Sequence, residues 1–376
     1  MIDLQKSREQ IDKIDDQIVK LFEERMGIAK DVADFKIATG KPVFDKAREV
    51  EKLQALMAKG SNEFNEKGIQ ELFQQIMSIS RKRQYQLLTE HGVASTAHDF
   101  KRVDKLKTKD CKVVFQGLAG AYTFAAMNTF FGEDVDSYHV ETWKEAMEDI
   151  KSGRAEYAVL PIENSTAGIV SDIYDLLMEY KHSIVGEQII RIEHALLAMK
   201  GATLEDIKTV YSHPQGLMQC KKYLGEHPQW QTGELLNTAF AAKKIKDDGD
   251  KSQAAIASVY AAEHFGLEVL EKGFHASANE TRFIIISKEK IYTKDAKKIT
   301  ICFELPHETG TLYSVLSNFI YNGLSMTKIE SRPLPGRNWE YRFFIDFEGD
   351  LSDGAVENAL RGIEQEATQL VVLGNY

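Results

Sequence analysis

The fold of the first part of this chain follows from residues 4–35, which read LQKSREQIDKIDDQIVKLFEERMGIAKDVADF. Apolar side chains recur in this stretch every three or four positions, the period of one helix face, and no proline interrupts it. They are Leu4, Ile11, Ile14, Ile18, Leu21, Ile28, Val32 and Phe35. A helix of this length measures about 50 Å, whereas a compact domain of about ninety residues is only about 30 Å across. We therefore expect the helix to pack against a second chain.

Two more helices are predicted after this segment. One begins close to Pro42 and Asp45 and runs to Lys59, because both residue types are common at helix starts. The other shows a helical pattern of apolar residues: Phe64, Ile69, Leu72, Phe73, Ile76, Ile79, Leu87 and Leu88. We predict an all-α domain over residues 1–90 and a polar, basic linker over residues 91–110.

The middle of the chain alternates between short β-branched runs and helical patterns, which indicates an α/β fold. The runs lie at 113–115, 157–160, 184–190, 254–257 and 283–286. We predict one α/β domain here, over residues 111–290.

The last part, residues 297–376, reads strand, helix, strand, strand, helix and strand. Its predicted strands are ITICFEL, MTKIESR, YRFFIDF and LVVLG, and its helices span 311–321 and 354–367. This order is that of a ferredoxin-like α+β domain, so the whole chain is predicted to be multidomain.

Charge and cysteine content limit the classes of partner. The chain of 376 residues has a formal net charge of -10, which argues against nucleic acid or an anionic membrane as a general partner. Its three cysteines, Cys111, Cys220 and Cys302, are widely spaced and form no CxxC pair, so neither a zinc site nor a disulfide framework is predicted. The sequence shows neither an apolar leader at its start nor a run of about eighteen apolar residues. We expect a cytoplasmic protein in a reducing compartment.

Arg25 occupies a position in the first helix where an aliphatic side chain is due. Leu4, Ile11, Ile18, Arg25 and Val32 are separated by seven residues each and so share one position of the interhelical seam. An unpaired cation there would cost several kcal/mol, and no carboxylate on the same stripe is spaced to pair with it. Ser80 and Gln84 interrupt the apolar face of the third helix in the same way. Either these polar groups are exposed or paired between chains, or they form a site.

The whole set of such residues resembles the active site of the all-helical chorismate mutases. The set comprises Arg8, Arg25, Lys36, Asp45, Arg48, Glu49, Ser80 and Gln84. The resemblance implies an intertwined dimer in which Arg25 and the partner's Arg8 hold the two carboxylates of chorismate. It also implies that Lys36 and Gln84 bond the ether oxygen, while the remaining residues complete the pocket. A rearrangement within one molecule needs positioning and charge stabilisation, and no cofactor or proton relay.

Several joints in the middle domain carry small or hydroxyl residues where a helix is expected to begin. They are GLAGAYTFAA at 117–126, ENSTAGIV at 163–170, SHPQG at 212–216 and NTAFAA at 237–242. Helix starts present free N–H groups and can bind a dicarboxylate, although ordinary capping explains any one of them equally well. GLAGAY does not fit GxGxxG, so a nicotinamide enzyme such as prephenate dehydrogenase is poorly supported.

Together with ANETRFIII at 278–286, these joints resemble the prephenate dehydratases over residues 113–287. The resemblance implies a two-lobed fold like that of periplasmic binding proteins, and it makes Thr281 the catalytic hydroxyl. The residues implied to bind prephenate are Tyr122, Thr123, Asn164, Ser165, Thr166, Ser212, His213, Gln215, Asn237, Thr238, Arg282 and Phe283. Thr123 replaces the usual serine, and Ala239 replaces a second hydroxyl residue, which removes one possible donor. The roles of Glu163 and His213 stay open.

Two elements of the last domain resemble the phenylalanine-binding ACT domain. They are Gly310, Thr311 and Leu312 at a strand-to-helix turn, and Glu330, Ser331, Arg332 and Pro333 in a strand. The resemblance implies allosteric inhibition by phenylalanine bound between two such domains, whereas a purely oligomerising domain is the alternative.

Together these resemblances imply an enzyme that converts chorismate to prephenate and then to phenylpyruvate, carbon dioxide and water. It is expected to be a homodimer or a homotetramer. A non-catalytic amino-acid sensor is one alternative, although such a sensor would need neither Arg25 nor Lys36. A mutase fused to a different activity is the other alternative.

Overall fold

The computed structural model describes residues 3–93, 97–274, 279–334, 336–337 and 339–376. The chain divides into two compact units. Unit 1 comprises Met1–Asp99 and Lys297–Val372, and unit 2 comprises Phe100–Ala296 and Leu373–Tyr376.

Helices and strands are numbered here in chain order. The helices are α1 Leu4–Thr39, α2 Lys46–Met57, α3 Glu63–Glu90, α4 Tyr122–Phe131, α5 Trp143–Ser152, α6 Ser171–Tyr180, α7 Pro214–Gln219, α8 Lys221–Gly225, α9 Thr238–Asp248, α10 Val259–Phe265, α11 Thr311–Tyr321 and α12 Gly354–Glu366. The strands are β1 Lys101–Val103, β2 Lys112–Gln116, β3 Asp136–Val140, β4 Tyr157–Asn164, β5 Gly168–Ile169, β6 Ser183–Arg191, β7 His194–Ala198, β8 Thr209–Ser212, β9 Gln231–Glu234, β10 Gln253–Ser258, β11 Glu268–Lys272, β12 Glu280–Ser287, β13 Ile291–Thr293, β14 Lys298–Glu304, β15 Met326–Pro333, β16 Tyr341–Glu348 and β17 Gln369–Asn375.

The first part of unit 1 is all-helical, which confirms the prediction for this segment. Asp3, Asp45 and Asn62 cap the starts of α1, α2 and α3 with side-chain oxygens that accept backbone N–H groups. α1 ends at Gly40, whose φ of 67° is the left-handed conformation that glycine adopts without strain. The apolar stripe of α1 lies open to solvent in the single chain, and Ile18, for example, is 52% exposed.

The second part of unit 1 has the predicted order of strands and helices, and α11 has the predicted bounds. Its strands lie in the order β15, β16, β14, β17, so that β15 stands at an edge. α12 and α11 lie against α3, so the helical part and the C-terminal part of unit 1 pack on each other.

Unit 2 contains two α/β lobes. In the first lobe the strands are ordered β6, β12, β4, β2, β3, and in the second they are ordered β11, β7, β10, β8, β9. Aliphatic and aromatic side chains from both faces of the second sheet form its cores, while a separate core fills the first lobe. All of the runs predicted as strands in this unit lie within observed strands.

Two local expectations differ from the structure. The stretch 163–170 opens no helix, because Asn164 Oδ1 accepts the N–H groups of Thr166 and Ala167 and bends the chain into β5. α6 begins only afterwards, at Ser171, with no side-chain cap. Within the predicted linker 91–110, β1 pairs in parallel with β13, so this part of the segment is ordered.

The described residues contain no helix that is long and apolar enough to cross a membrane. All three cysteines are buried and unbridged.

Candidate active sites

A polar cluster joins the end of α1 to α3 in unit 1. Lys36 Nζ donates to the backbone oxygen of Val43 at 2.7 Å and to Gln84 Oε1 at 3.2 Å. Gln84 Nε2 in turn donates to Ser80 Oγ at 3.3 Å and to the Ser80 carbonyl oxygen at 3.2 Å. Burial lowers the pKa of Lys36, and the nearby carboxylates of Glu49 and Asp45 oppose this effect. The sequence-predicted trio Lys36, Ser80 and Gln84 therefore forms one connected site.

Arg25 has a buried donor that no described residue of the chain satisfies. Its Nη1 atom is buried and has no hydrogen-bond partner among the described residues. Burial also lowers the pKa of Arg25, and the charge of Glu49 acts in the opposite direction. A buried guanidinium nitrogen without an acceptor is destabilising, and a ligand carboxylate would satisfy it.

Asp45, Arg48 and Glu49 lie at the first turn of α2. Asp45 Oδ1 accepts the Arg48 N–H at 3.1 Å, so this carboxylate caps the helix. Arg48 is exposed, whereas Glu49 is half-buried and accepts a hydrogen bond from Arg81 Nη1. Arg81 was not among the predicted site residues. The charged run SRKRQ at 80–84, inside an otherwise buried helix end, was the signal that could have identified it.

Arg8 is exposed near the start of α1. It precedes Arg25 by seventeen residues of one continuous helix, which places the two about 25 Å apart along the axis. One chain therefore cannot bring both arginines to the same small ligand.

A second cluster surrounds Thr281 in unit 2. Thr281 pairs with Asn164 across β12 and β4, and Asn164 Nδ2 donates to Thr281 Oγ1 at 2.9 Å. The same amide nitrogen donates to Asn279 Oδ1 at 2.7 Å. Thr281 is only 9% exposed. The hydroxyl thus lies in a largely buried polar setting in which a neighbour donates to its oxygen.

Hydrogen bonds extend this cluster from one lobe of unit 2 to the other. Thr166 Oγ1 donates to Asn164 Oδ1 at 2.7 Å and accepts from Gln219 Nε2 at 3.1 Å. Gln219 Oε1 lies 2.9 Å from His194 Nε2, and His194 Nδ1 lies 3.1 Å from the hydroxyl of Tyr122. Burial raises the pKa of Tyr122, so this phenol keeps its proton. The network is a continuous chain of donors and acceptors around Thr281.

Of the predicted prephenate-site residues, the structure brings Tyr122, Asn164, Thr166 and Thr281 into this network. Sequence reasoning missed Asn279, Gln219 and His194. Asn279 lies within the ANETRF motif and could have been found there, while Ala278 of the same motif lies outside the described residues. No local pattern marked the other two.

Other predicted prephenate-binding residues have mainly structural contacts. Asn237 and His213 cap α9 and α7, and the buried Ser212 Oγ donates to the Ile256 carbonyl at 2.7 Å. Their helix starts follow the prediction, with Pro214 as the first residue of α7 and Thr238 as the first of α9. Gln215 provides the backbone N–H that His213 accepts.

The remaining four members of the predicted set lie in the first lobe. Ser165 Oγ accepts the N–H of Glu280 at 2.9 Å, and Thr123 is buried in α4. Arg282 lies 3.9 Å from a carboxylate oxygen of Glu163 and equally far from one of Glu187. Phe283 packs in the core of the lobe.

The predicted regulatory residues lie in the second part of unit 1. Gly310, with φ of 85°, precedes α11, and Thr311 Oγ1 donates to the carbonyl oxygens of Pro306 and Glu308. Thr311 and Leu312 line a cavity of about 100 Å³ together with aromatic residues that include Trp339 and Phe343. The residues Glu330, Ser331, Arg332 and Pro333 form the end of the edge strand β15.

Comparisons with known proteins agree with this division of the chain. A family model described as chorismate mutase type II matches residues 7–85, and one described as prephenate dehydratase matches residues 113–291. The bifunctional chorismate mutase/prephenate dehydratase of Escherichia coli K12 is 30% identical, over 98% of this chain and 95% of that protein.

Two solved structures cover 70% of the chain, each with a TM-score of 0.65. The prephenate dehydratase of Arthrobacter aurescens in complex with L-Phe is 30% identical, and 89% of that chain is covered. GqqA, described as a novel type of quorum-quenching acylase, is 33% identical, and 97% of that chain is covered.

Proposed function

The chain belongs to the bifunctional chorismate mutase/prephenate dehydratase family, and on that premise we propose where each of its reactions takes place. The enzyme rearranges chorismate to prephenate and converts prephenate to phenylpyruvate in phenylalanine biosynthesis. The first reaction is assigned to the cluster around Lys36 and Arg25 in unit 1. The second is assigned to the cluster around Thr281 in unit 2.

The mutase assignment is carried by two observations: Arg25 has an unsatisfied donor, and Lys36 of the same helix has one N–H donor left. The carboxylate of Glu49 acts on the pKa of both residues. Lys36 carries three N–H donors, of which Val43 O and Gln84 Oε1 take two. The third is available for the ether oxygen of chorismate, where negative charge develops as the C–O bond breaks. Arg25 Nη1 supplies the donor for one substrate carboxylate.

The second carboxylate of chorismate requires an arginine from another chain. Arg8 of the same chain is too far along α1, and the exposed apolar stripe of that helix needs a partner to cover it. We assign the second clamp to the partner's Arg8 in an intertwined homodimer. Asp45, Arg48, Glu49 and Ser80 complete the pocket in this assignment.

The dehydratase assignment is carried by the bond from Asn164 Nδ2 to Thr281 Oγ1. This bond occupies a lone pair of the hydroxyl oxygen, so its proton can point towards a substrate. Thr281 donates that proton to the ring hydroxyl of prephenate, which leaves as water while the C–C bond to the carboxylate breaks and carbon dioxide departs. The bonding electrons enter the ring, which becomes aromatic, and solvent restores the proton of Thr281. Asn164 stabilises the oxygen while it carries negative charge.

The second part of unit 1 is assigned to regulation. We assign it to the ACT type, with Gly310, Thr311 and Leu312 of one copy and residues 330–333 of another enclosing phenylalanine. The edge position of β15 supports this assignment, because an edge strand can pair with a second copy. L-Phe bound to the related dehydratase of Arthrobacter aurescens supports the choice of ligand.

The predicted boundaries become part of the same proposal. They are a mutase domain over 1–90, a linker over 91–110, a two-lobed dehydratase domain over 111–290 and an ACT domain over 297–376. We place the enzyme in the cytoplasm, as a homodimer or homotetramer. Buried, unbridged cysteines fit a reducing compartment.

Reciprocal variants test the two assignments. In Thr281→Val, phenylpyruvate formation should fall at least about a hundredfold, the usual effect of losing a general acid, and prephenate should accumulate from chorismate. In Lys36→Ala, prephenate formation should fall by about a hundredfold or more, as when one charge-stabilising donor is removed. Added prephenate should still be converted by this variant. Unchanged phenylpyruvate output from Thr281→Val would refute the dehydratase site.

The same assay with phenylalanine tests the regulatory assignment. Phenylalanine should reduce the activity of the parent enzyme, and Thr311→Trp should weaken this inhibition because the indole would fill the small cavity beside α11. Equal inhibition of the parent and the variant would place the amino acid elsewhere.

A further inference from the structure

Arg81 joins the proposed mutase site to the C-terminal part of unit 1. It lies on α3 next to Ser80, and its side chain is 9% exposed. Its Nη1 atom bonds Glu49 Oε2 at the start of α2, while Nη2 bonds Glu366 Oε1 at the end of α12 at 2.9 Å. One planar guanidinium therefore bridges two carboxylates that lie about 300 residues apart in sequence.

The bridge is shielded from solvent. Glu366 is also 9% exposed, and the ring of Phe44 lies 4.8 Å from the Arg81 guanidinium carbon. Burial lowers the pKa of Arg81, but the paired carboxylates of Glu49 and Glu366 outweigh this and raise it. Charges that are shielded from water interact strongly, and removal of one charge from a buried ion pair strongly destabilises the fold because the other charge stays buried without a partner. The position of Arg81 therefore depends on both carboxylates.

Glu366 is itself held by α11. Its Oε2 atom accepts the hydroxyl of Ser314 at 2.8 Å. Ser314 lies in the first turn of α11, where its N–H donates to the carbonyl oxygen of Gly310 at 2.9 Å. A continuous series of bonds thus leads from the proposed phenylalanine site through Ser314, Glu366 and Arg81 to Glu49.

We propose that Arg81 is a positioning residue of the mutase site, and that Glu366 sets its position so that the C-terminal part of unit 1 controls chorismate binding through Glu49. This inference rests on the proposed function, in which Glu49 faces the substrate. Arg81 reaches the substrate only through Glu49. A shift of the first turn of α11 on phenylalanine binding would move Glu366 and thereby change the affinity of the mutase for chorismate.

Glu366→Gln tests the bridge in the full-length enzyme, since it removes the charge and keeps the shape. The KM for chorismate should rise about tenfold, as expected when one charged partner of a hydrogen bond is neutralised. The value of kcat should change by less than about threefold, because no group that touches the reacting atoms is altered. Inhibition of the mutase by phenylalanine should weaken, while inhibition of the dehydratase should stay as in the parent.

Thr89→Val is the matched control. Thr89 Oγ1 donates to Asn358 Oδ1 at 2.7 Å, so this variant breaks another hydrogen bond between α3 and α12 without touching the bridge. Its KM for chorismate should stay close to that of the parent. A mutase kcat close to that of the parent shows that unit 1 of each variant is folded, and dehydratase activity measured with prephenate shows the same for unit 2.

Arg81→Lys supplies a second line of evidence. A lysine keeps the charge but cannot hold two carboxylates with a planar fork, so the KM should rise here as well. In the double variant Arg81→Lys/Glu366→Gln, the rise should be no larger than in the stronger single variant, because both act through one bridge. Additive effects would overturn the inference, and so would a KM in Glu366→Gln equal to that in Thr89→Val. Neither result would contradict the mutase assignment. That assignment fails only if Lys36→Ala forms prephenate at the rate of the parent.

Discussion

At the scale of single residues, the dehydratase mechanism that we propose depends on the direction of one hydrogen bond. Asn164 Nδ2 donates to Thr281 Oγ1, while Asn164 Oδ1 accepts from Thr166 Oγ1 and from two backbone N–H groups. The orientation of this amide is therefore set by the two backbone N–H groups of Thr166 and Ala167, which can only donate. Thr281 keeps its proton for the substrate because Asn164 offers a donor and not an acceptor.

Asn164→Asp reverses this arrangement without a change of size. The introduced carboxylate can only accept, so the Thr281 hydroxyl would donate to it and lose its proton for prephenate. We expect kcat for phenylpyruvate formation to fall at least about a hundredfold, as for loss of a general acid. The mutase activity of the same protein serves as the internal control. A dehydratase rate within a few-fold of the parent would show that Thr281 is not oriented by Asn164.

Site residues were predictable from sequence where a motif carried them. The resemblance to known families proposed Thr281 through its Thr-Arg-Phe stretch and proposed Arg25, Lys36 and Gln84 as one set, of which the structure joins Lys36 to Gln84 by a hydrogen bond. The charged run at 80–84 could have identified Arg81, but its pairing with Glu366 was not predictable, because Glu366 is distant in sequence and no rule of spacing connects the two. Gln219 and His194 join the network only because two lobes meet, which a local pattern does not show.

At the scale of elements, helices and strands with a strong apolar period were predicted well. α1 was expected over 4–35 and extends to Thr39, and α11 has the expected bounds. The prediction was wrong at 163–170, where Asn164 bends the chain and a short strand forms in place of a helix. Asparagine stabilises both helix starts and turns, so its presence alone could not distinguish the two.

The exposed stripe of α1 leads to a prediction about assembly. Ile18→Glu places a charge in the middle of this stripe, where a partner helix would have to bury it at a cost of several kcal/mol. We expect sedimentation to show a smaller assembly than that of the parent. Mutase activity should fall at least about tenfold, because the partner's Arg8 no longer reaches the site.

Asp16→Lys is the control for this variant. Asp16 is exposed and lies about 160° around the helix from Ile18, so a reversed charge there should leave the stripe intact. If Ile18→Glu and Asp16→Lys formed assemblies of the same mass in sedimentation and had the same mutase activity, α1 would not be the dimer interface.

At the scale of the whole molecule, the two proposed catalytic clusters have no described residue in common. The mutase cluster belongs to unit 1 and the dehydratase cluster belongs to unit 2. The sequence suggested separate helical and C-terminal domains, and their packing against each other within unit 1 was not foreseen. The contacts between them include charged side chains such as Arg81 and Lys82, which a sequence pattern predicts to be solvent-exposed.

Because the clusters share no residue, defects in them should be complementary. Lys36→Ala lacks mutase activity in our assignment, and Thr281→Val lacks dehydratase activity, but each keeps the other site intact. A mixture of the two proteins should therefore convert chorismate to phenylpyruvate, with prephenate passing through solution from one protein to the other. A lag should precede the formation of phenylpyruvate and shorten as the concentration of Lys36→Ala is raised, because that protein consumes the released prephenate.

The double variant Lys36→Ala/Thr281→Val is the control. When it is added to either single variant, the mixture should form no more phenylpyruvate than the single variant alone. If the mixture accumulated prephenate without phenylpyruvate, while Lys36→Ala alone converted added prephenate normally, free exchange between the proteins would be contradicted.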